Sequence, residues 1–298
     1  MRNLPSKFIE YLRYEKRYSK HTITAYSKDL SQFNQFMTET YELIEIQKIK
    51  RSHIRTWIAT LRENDVSPKS IHRKISTLSS FFKYMRRLGE INTSPMPTIV
   101  KPKLEKRLAT FVREDTIDKV LKESSNDKRA ETIAEMNPQL IIEILYQTGL
   151  RRNELLTLTV ENTNIQKREL KVVGKGNNER IIPMNANLSS LIESYVVLRN
   201  EVAIEGNPYL LVLPSGKQLY PKYVYNTVKK ILEGSTTLNK NSPHVLRHTF
   251  ATHLLNEGAD INAIKELLGH ASLAATQIYM HNGIEKLKNV HKNAHPKA

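Results

Sequence analysis

The sequence predicts a mostly α-helical protein with a small antiparallel β-sheet, an α+β fold in two domains. Three observations support this prediction. Apolar residues recur at helical spacing through the first ninety residues, prolines and cations interrupt the pattern over 90–110, and three short β-type runs lie between 162 and 183. A chain of 298 residues is long enough for two domains that each bury a core.

The first domain, 1–89, is predicted to be a bundle of four helices with short loops. Each helix shows either apolar residues at steps of three or four or a capping residue at its start. The signals lie at Phe8 to Leu12, at Ser19 with Ile23, at His53 to Leu61, and at Ser67-Pro68. Ser at a cap and Pro in the first turn both favour a helix start, and Gly89 is expected to end the last helix.

Residues 90–110 are predicted to form an extended basic linker. Prolines deny helix and stiffen the chain. The linker contains three prolines and four cations, namely Pro95, Pro97, Pro102, Lys101, Lys103, Lys106 and Arg107. We expect it to lie near nucleic acid, and the alternative is a linker that is merely solvated.

The remainder, 111–298, is predicted to combine helices with the sheet. An apolar helix follows Asn137-Pro138 and stops near Gly149. Strands are expected near 162–165, 169–173 and 180–183, with Gly174 and Gly176 in the turn of the second hairpin, because glycine tolerates positive φ. Later helices are expected near 187–203, 221–233, 244–257, 260–268 and 272–281.

The charge is strongly positive and unevenly placed. The net charge is +16, and residues 1–110 hold 22 Lys and Arg against 10 Asp and Glu. A basic first third suits a clamp for phosphates, because each neutralised phosphate releases counterions. A solubilising surface or attraction to a membrane surface would give the same charge. We therefore expect a nucleic-acid partner, with DNA favoured once the chemistry below is considered.

Bulk composition excludes several classes of protein. No run approaches 18 apolar residues, so no membrane span is expected, and the first residues do not read as a signal peptide. The chain has no cysteine, which rules out disulfides, thiol catalysis and thiolate zinc sites. These features fit a cytoplasmic protein.

Four residues could bind and orient an oxyanion. His244 and Arg247 are three apart on a predicted helix and share a face. Arginine suits a phosphoryl group because its planar fork donates two parallel hydrogen bonds. Arg151 follows an apolar helix, and Glu154, three residues on, can hold that arginine in place. A surface salt bridge is the alternative for Arg151 and Glu154.

Three further residues could complete a strand-breaking site. Lys175 lies at the tip of the predicted hairpin, where it can reach a phosphate or a leaving oxygen. His270 follows Gly269 at a helix boundary, and Tyr279 lies in the next helical stretch. A tyrosine can attack phosphorus if a neighbouring histidine or a cationic pocket helps to remove its proton. Taken alone, each residue has an ordinary structural explanation.

A metal site and a nucleotide site are the competing interpretations. His244, His248 and His253 could suggest a metal, but no suitably spaced carboxylate or cysteine completes the set. Walker-type and GxGxxG loops are absent from the sequence. We therefore predict no metal and no cofactor.

These residues, in this order, resemble the tyrosine recombinase (phage integrase) family. The matching runs are TGLRRNELLTL, VVGKGNNERIIPM, HVLRHTFATHLLNEGADINAIKELLGH and TQIYMH. The resemblance covers most of 111–298, which it identifies as the catalytic domain. The helical part, 1–89, resembles the family's SAM-like core-binding domain with weaker motifs. Overall size and the closing residues are most similar to the Xer branch.

The resemblance implies a role for each residue. Tyr279 would be the nucleophile that forms a 3′-phosphotyrosyl link. Arg151 and Arg247 would neutralise the non-bridging oxygens, and Lys175 would protonate the leaving 5′-oxygen. His244 would accept the proton of Tyr279, His270 would donate a hydrogen bond to the phosphate, and Glu154 would support the site.

The resemblance also implies partners. Family members act on double-stranded DNA as tetramers that pass through a Holliday junction, without metal or ATP. A second related recombinase and a DNA translocase that activates the complex are possible partners, and no membrane is expected. Residues 284–298 would contact a neighbouring protomer, and the alternative is a tail that folds back on its own domain.

Several alternatives remain open at this stage. Xer-type resolution of chromosome dimers, a step of chromosome partition, is the leading role, and integration or transposition of a mobile element uses the same chemistry. A type IB topoisomerase would work as a monomer on one duplex. A DNA-binding accessory protein without catalysis is the alternative from another class, although the complete residue set argues against it.

Overall fold

The computed structural model describes residues 4–43, 45–103, 111–124, 130–174, 178–233 and 241–269. The chain divides into two compact units between Arg107 and Leu108. The first unit is helical, and the second combines helices with a three-stranded sheet. Within the described ranges, none of the helices has the length and apolar character needed to cross a membrane.

Four α-helices surround the apolar core of the first unit. They are α1 (Leu4–Tyr14), α2 (Lys20–Tyr41), α3 (Arg51–Glu63) and α4 (Pro68–Arg87). Ser19 caps α2 and Ser67 caps α4, each by accepting a hydrogen bond from a backbone N–H of the first turn. Gly89 follows α4 with a φ of +73°. The four helices and their start signals were therefore predicted correctly.

The described part of the predicted linker, 90–103, packs against the first unit. It contains no helix or strand. Ile91 and Met96 are buried in the helical core, and the ring of His72 donates a hydrogen bond to the carbonyl oxygen of Pro102. Because of these contacts, the segment belongs to the first unit up to about Pro102. The rest of the linker lies outside the described residues.

The core of the second unit lies between its helices and one face of the sheet. Its described helices are α5 (Glu114–Ser124), α6 (Ile133–Thr148), α7 (Arg152–Leu156), α8 (Ala186–Val202), α9 (Pro221–Glu233), α10 (Pro243–Asn256) and α11 (Ile261–Leu268). The strands β1 (Thr163–Asn164), β2 (Glu169–Val173) and β3 (Glu179–Pro183) form an antiparallel sheet in the order β1-β2-β3. The three predicted strands and the helices predicted near 187–203, 221–233, 244–257 and 260–268 agree with these, whereas α5 and α7 were not predicted. The expected helix near 272–281 lies outside the described residues.

The start of α6 differs from the prediction. The helix begins at Ile133 and carries Pro138 in its interior, although Pro138 was expected to mark its start. Thr132 caps the helix by accepting a hydrogen bond from Glu135 N, and the Glu135 carboxylate accepts one from Glu131 N. This Thr-x-x-Glu pattern is a start signal that outweighs the missing proline N–H.

Gly149 ends α6 at a point where a side chain would not fit. Its φ is +61°, and an added Cβ would lie 2.5 Å from Cδ1 of Phe250, a ring buried in α10. The carbonyl of Gly149 also accepts a hydrogen bond from Arg247. The tight turn after α6 therefore depends on the absence of a side chain.

Gly149→Ala is expected to destabilise the protein more than Gly206→Ala. Both glycines have positive φ, which costs alanine about 1–2 kcal/mol. Gly206 has open space around its Cβ position, whereas at Gly149 the Phe250 ring must move, which adds about 1–3 kcal/mol. Thermal melting of the two variants measures the difference, and equal melting temperatures would show that the contact with Phe250 relaxes freely.

Candidate active site

Glu154 is the centre of a buried cluster of charges in the second unit. It lies on α7 and is 6% exposed. Its carboxylate accepts hydrogen bonds from Arg151 Nη1 at 2.7 Å and from Arg180 at 3.1 and 2.8 Å. Arg247 Nη1 lies 4.0 Å from Oε2 of the same carboxylate. Three guanidinium groups thus surround one carboxylate, and the cluster carries an excess of positive charge.

Local sequence explains how Arg151 and Glu154 meet. The left-handed Gly149 ends α6, and Arg151 occupies the cap position of α7 two residues later. Glu154, three residues on, accepts a hydrogen bond from the backbone N–H of Arg151 at 2.8 Å as well as from its side chain. A carboxylate in this position also interacts favourably with the positive end of the short helix.

The three arginines also bind the end of α11. Arg180 Nε donates to Leu267 O at 2.8 Å, Arg247 Nη2 to Leu268 O at 2.6 Å, and Arg151 Nη2 to Gly269 O at 3.2 Å. The last carbonyl groups of a helix have no partner within the helix and form the negative end of its dipole. Three successive carbonyls therefore fix α11 to the cluster.

Burial and charge perturb two pKa values in the cluster. Burial, together with the charges of the neighbouring Arg151 and Arg180, lowers the pKa of Arg247 to about 10, although the Glu154 carboxylate acts to raise it. Burial acts to raise the pKa of Glu154, but hydrogen bonds from Arg180 and Arg151 outweigh this, and the pKa is lowered. Glu154 is therefore ionised at neutral pH, and the crowded arginines favour binding of an anion.

The structure brings together three of the predicted site residues, Arg151, Glu154 and Arg247. Arg247 is buried on α10, while His244, three residues earlier on the same helix, is exposed. Residues at this spacing share a face of the helix, so the imidazole is accessible above the buried arginine.

Lys175, His270 and Tyr279 lie outside the described residues, but two of their neighbours lie at the cluster. A Cβ on Gly174 would be 3.9 Å from Oε1 of Glu154, and Gly269 O accepts a hydrogen bond from Arg151. The chain therefore leads into Lys175 and into His270 from positions beside the arginines.

Arg180 is the member of the cluster that the sequence prediction omitted. It lies on β3, where alternation places it on the same face as the buried Ile182. An arginine in register with the apolar residues of a strand is a detectable signal, because a buried arginine needs a partner. Its partners are 26 and 87 residues away in sequence, so their identity was not predictable from local pattern.

His253 has a structural role. It is 3% exposed, and its Nε2 lies 2.9 Å from Val112 O, which can only accept, so Nε2 donates. Nδ1 is then the acceptor for the hydroxyl of Tyr146 at 3.1 Å. Both ring nitrogens therefore form hydrogen bonds, one that connects α10 with α6 and one that connects α10 with Val112 near the start of the unit. Across the ranges that the structure describes, no group of three or more potential ligands could hold a metal ion.

The geometry is suited to a protein that binds a phosphate-like oxyanion. Arginine forks match the oxygen atoms of a phosphoryl group. Here the forks are held by one carboxylate and by helix ends, so they need little rearrangement to receive an anion. His244 is exposed and lies three residues before Arg247 on α10.

Comparison with known proteins identifies the family. The phage integrase family model matches residues 110–285, and the phage integrase N-terminal SAM-like domain matches residues 6–89. The tyrosine recombinase XerC of Staphylococcus aureus (strain USA300 / TCH1516) is 33% identical over 298 residues, covering all of this chain and 98% of the relative. The tyrosine recombinase XerC of Natranaerobius thermophilus is 32% identical over 304 residues, covering both chains in full.

The chain therefore belongs to the phage integrase family. It is a tyrosine-type enzyme of site-specific DNA recombination, most similar to the Xer branch, as the sequence motifs predicted.

Solved structures share its fold. The XerH site-specific recombinase, in a post-cleavage complex with a palindromic difH substrate, gives a TM-score of 0.73 at 21% identity, covering 96% of this chain and 83% of that one. A variant of the Tn1549 transposon integrase, in complex with transposon right end DNA, gives 0.72 at 20% identity, covering 96% and 99%. The predicted mostly helical fold with a small antiparallel sheet is confirmed.

Proposed function

We propose that this chain cuts and rejoins duplex DNA through a 3′-phosphotyrosyl link to Tyr279. The observation that carries the proposal is the cluster of three arginines around Glu154, whose positive charge exceeds what one carboxylate neutralises. A phosphodiester passing through a pentavalent state gains negative charge, and preorganised cations stabilise that state. The proposed step needs neither metal nor ATP, because the arginines supply the charge and the phosphotyrosine conserves the bond energy.

Each site residue has a proposed part in the step. The Tyr279 oxygen attacks phosphorus while His244 accepts its proton, and the bond from phosphorus to the 5′-oxygen breaks. The leaving oxygen takes a proton from Lys175. Rejoining runs the same steps in reverse. The non-bridging oxygens are held by Arg151, Arg247 and His270, and Glu154 keeps the arginines in place.

The first unit is proposed to be the DNA-binding domain, and the second, 111–298, the catalytic domain. Exposed lysines lie on α4 at Lys69 and Lys83. Such cations can neutralise DNA phosphates. The buried carboxylate of Asp29 pairs with Arg73 and accepts a hydrogen bond from Lys74, which anchors this side of α4.

The similarity to relatives named XerC supports a proposal for the biological role and the assembly. We propose cytoplasmic resolution of chromosome dimers by a tetramer on two sites, through a Holliday junction, with residues 284–298 contacting the next protomer. A second related recombinase and a translocase activator are part of this proposal. Sequencing DNA recovered from covalent adducts in cells identifies the target, and adducts at the ends of a mobile element would assign integration instead.

Tyr279→Phe is expected to abolish covalent attachment to DNA while leaving DNA affinity within about threefold, because only the attacking oxygen is lost. Wild type and variant are incubated with a nicked suicide duplex that carries the cognate site, and adducts are separated by denaturing electrophoresis. Tyr220→Phe, which removes the hydroxyl of a half-exposed tyrosine of the second unit, is the matched control and should form adduct at the wild-type rate. An adduct in Tyr279→Phe would assign the nucleophile to another residue.

A further inference from the structure

We propose that Arg180 is a positioning residue for strand cleavage, one that holds Glu154 and the end of α11 so that Arg151 and Arg247 meet the same phosphate. The proposal rests on the proposed function and adds a residue to its machinery. Arg180 would act through its neighbours, without touching DNA.

The contacts of Arg180 converge from three elements. From β3, its Nη1 and Nη2 donate to the two oxygens of Glu154 on α7, at 3.1 and 2.8 Å. Its Nε donates to Leu267 O on α11 at 2.8 Å. A bidentate fork fixes the plane of the carboxylate as well as its position. The orientation of the Glu154 carboxylate, which in turn binds Arg151, therefore depends on Arg180.

Arg180 is shielded from a phosphate. Its side chain is 12% exposed, whereas that of Arg151 is 37% exposed. A Cβ placed on Gly269 would lie 3.1 to 3.3 Å from Nη1, Cδ and Cζ of Arg180, so the backbone of Gly269 covers the guanidinium. Gly269 has a φ of +61° and leaves no space for a side chain there. These contacts shield Arg180 from solvent, whereas the side chain of Arg151 remains accessible.

The position of Arg180 on the hairpin gives it a second effect. Gly174 N donates to Asn178 O at 2.7 Å, which closes the base of the turn that contains Lys175. Arg180 lies two residues beyond Asn178 and fixes this end of β3 to α7 and α11. One side chain therefore joins the hairpin of Lys175, the helix of Glu154 and the helix that precedes His270.

The test replaces the planar fork by a point charge. Arg180→Lys keeps the charge, but its compact ammonium cannot hold both oxygens of Glu154 side by side and also reach the Leu267 carbonyl. We expect single-turnover cleavage of the suicide duplex at saturating protein to fall by about 10²-fold, since misplacement of catalytic groups by about 1 Å has that effect. The dissociation constant for DNA should stay within about threefold. Glu179→Gln, an exposed change on the same strand that breaks the pair with Lys171, is the control and should cleave at the wild-type rate.

The pH profile separates positioning from general loss of structure. Against the effect of burial, hydrogen bonds from Arg180 and Arg151 keep the pKa of Glu154 low. Arg247 Nη1 is the third cation that faces this carboxylate, at 4.0 Å. In Arg180→Lys, and more so in Arg180→Met, the acid limb of the cleavage rate should move to higher pH. A variant that merely lost folded protein would keep the wild-type profile at a lower amplitude.

Two failures can be told apart in this experiment. If the wild type forms no adduct on its cognate site, the proposed phosphotyrosine chemistry fails. If the wild type forms the adduct and Arg180→Lys cleaves with wild-type rate and pH profile, the positioning role alone is overturned. Rates are measured well below each melting temperature. A variant with a lower melting temperature but wild-type cleavage therefore also overturns the proposal.

Discussion

Arg247→Lys is expected to lower the cleavage rate by about 10²–10³-fold, the usual cost of removing one preorganised donor to a developing oxyanion. Arg247 is 8% exposed and its guanidinium binds Gly149 O and Leu268 O, each at 2.6 Å. Lysine has a point charge in place of a planar fork, so it cannot keep both carbonyls and face a phosphate. Single-turnover cleavage at saturating DNA measures the effect on the chemical step.

The second unit offers a closely matched control for this substitution. Arg199, on α8, is also 8% exposed and binds backbone carbonyls, with Nε and Nη2 donating to Tyr209 O at 3.1 and 3.0 Å. Arg199→Lys should therefore lower the melting temperature much as Arg247→Lys does, but leave the cleavage rate of the folded protein unchanged. If both variants lost cleavage in proportion to stability, Arg247 would be a structural arginine only.

Helix start signals explain why so much of the fold could be predicted. The caps at Ser19 and Ser67 are local features, in which a side chain bonds a backbone N–H three residues away, so a single sequence contains the whole interaction. The predicted start of α6 was wrong because proline usually marks the first turn of a helix, whereas this helix begins earlier, at the Thr132 cap, and carries Pro138 in its interior. The interaction at the start of α7 is also local, because Glu154 pairs with Arg151 three residues earlier. The spacing of these two residues in the sequence already indicated their pairing.

The rest of the site depends on contacts between distant parts of the chain. Arg247 reaches Gly149, 98 residues earlier, and Arg180 reaches Leu267, 87 residues later. Periodicity shows which face of β3 or α10 is buried but not which helix end lies opposite it. The binding of the end of α11 by three arginines was therefore visible only in the structure. The family motifs, in contrast, were sufficient to name six of the proposed site residues.

Glu154→Gln is expected to reduce the free energy of unfolding by about 3–5 kcal/mol at pH 7, because removing one partner of a buried ion pair leaves the other uncompensated. Here three guanidiniums would lose their common anion. An amide can still accept on one oxygen, but its NH₂ group faces arginine donors. Guanidinium melts followed by far-UV circular dichroism measure the loss, and the fluorescence of Trp57, the single tryptophan, reports on the first unit separately.

The loss should depend on pH in a defined direction. The folded-state pKa of Glu154 lies below its ordinary value of 4.5. A carboxyl group with a lowered pKa contributes stability that is fully present above the unfolded pKa and is lost as pH falls through the folded pKa. The difference between wild type and Glu154→Gln should therefore be constant from neutral pH down to about one unit above the unfolded pKa, and should shrink at lower pH.

Glu179→Gln provides the comparison for an exposed carboxylate. Glu179 pairs with Lys171 at 2.9 Å with about half of each side chain exposed, so its removal should change stability by no more than about 1 kcal/mol. If Glu154→Gln were equally mild, or if its effect did not shrink in acid, the carboxylate would not be neutralising the arginines. The excess charge on which phosphate binding depends would then be larger than three cations against one anion. In that case Glu154→Gln should bind DNA as tightly as the wild type, because removing the carboxylate charge would not change the positive charge that a phosphate meets.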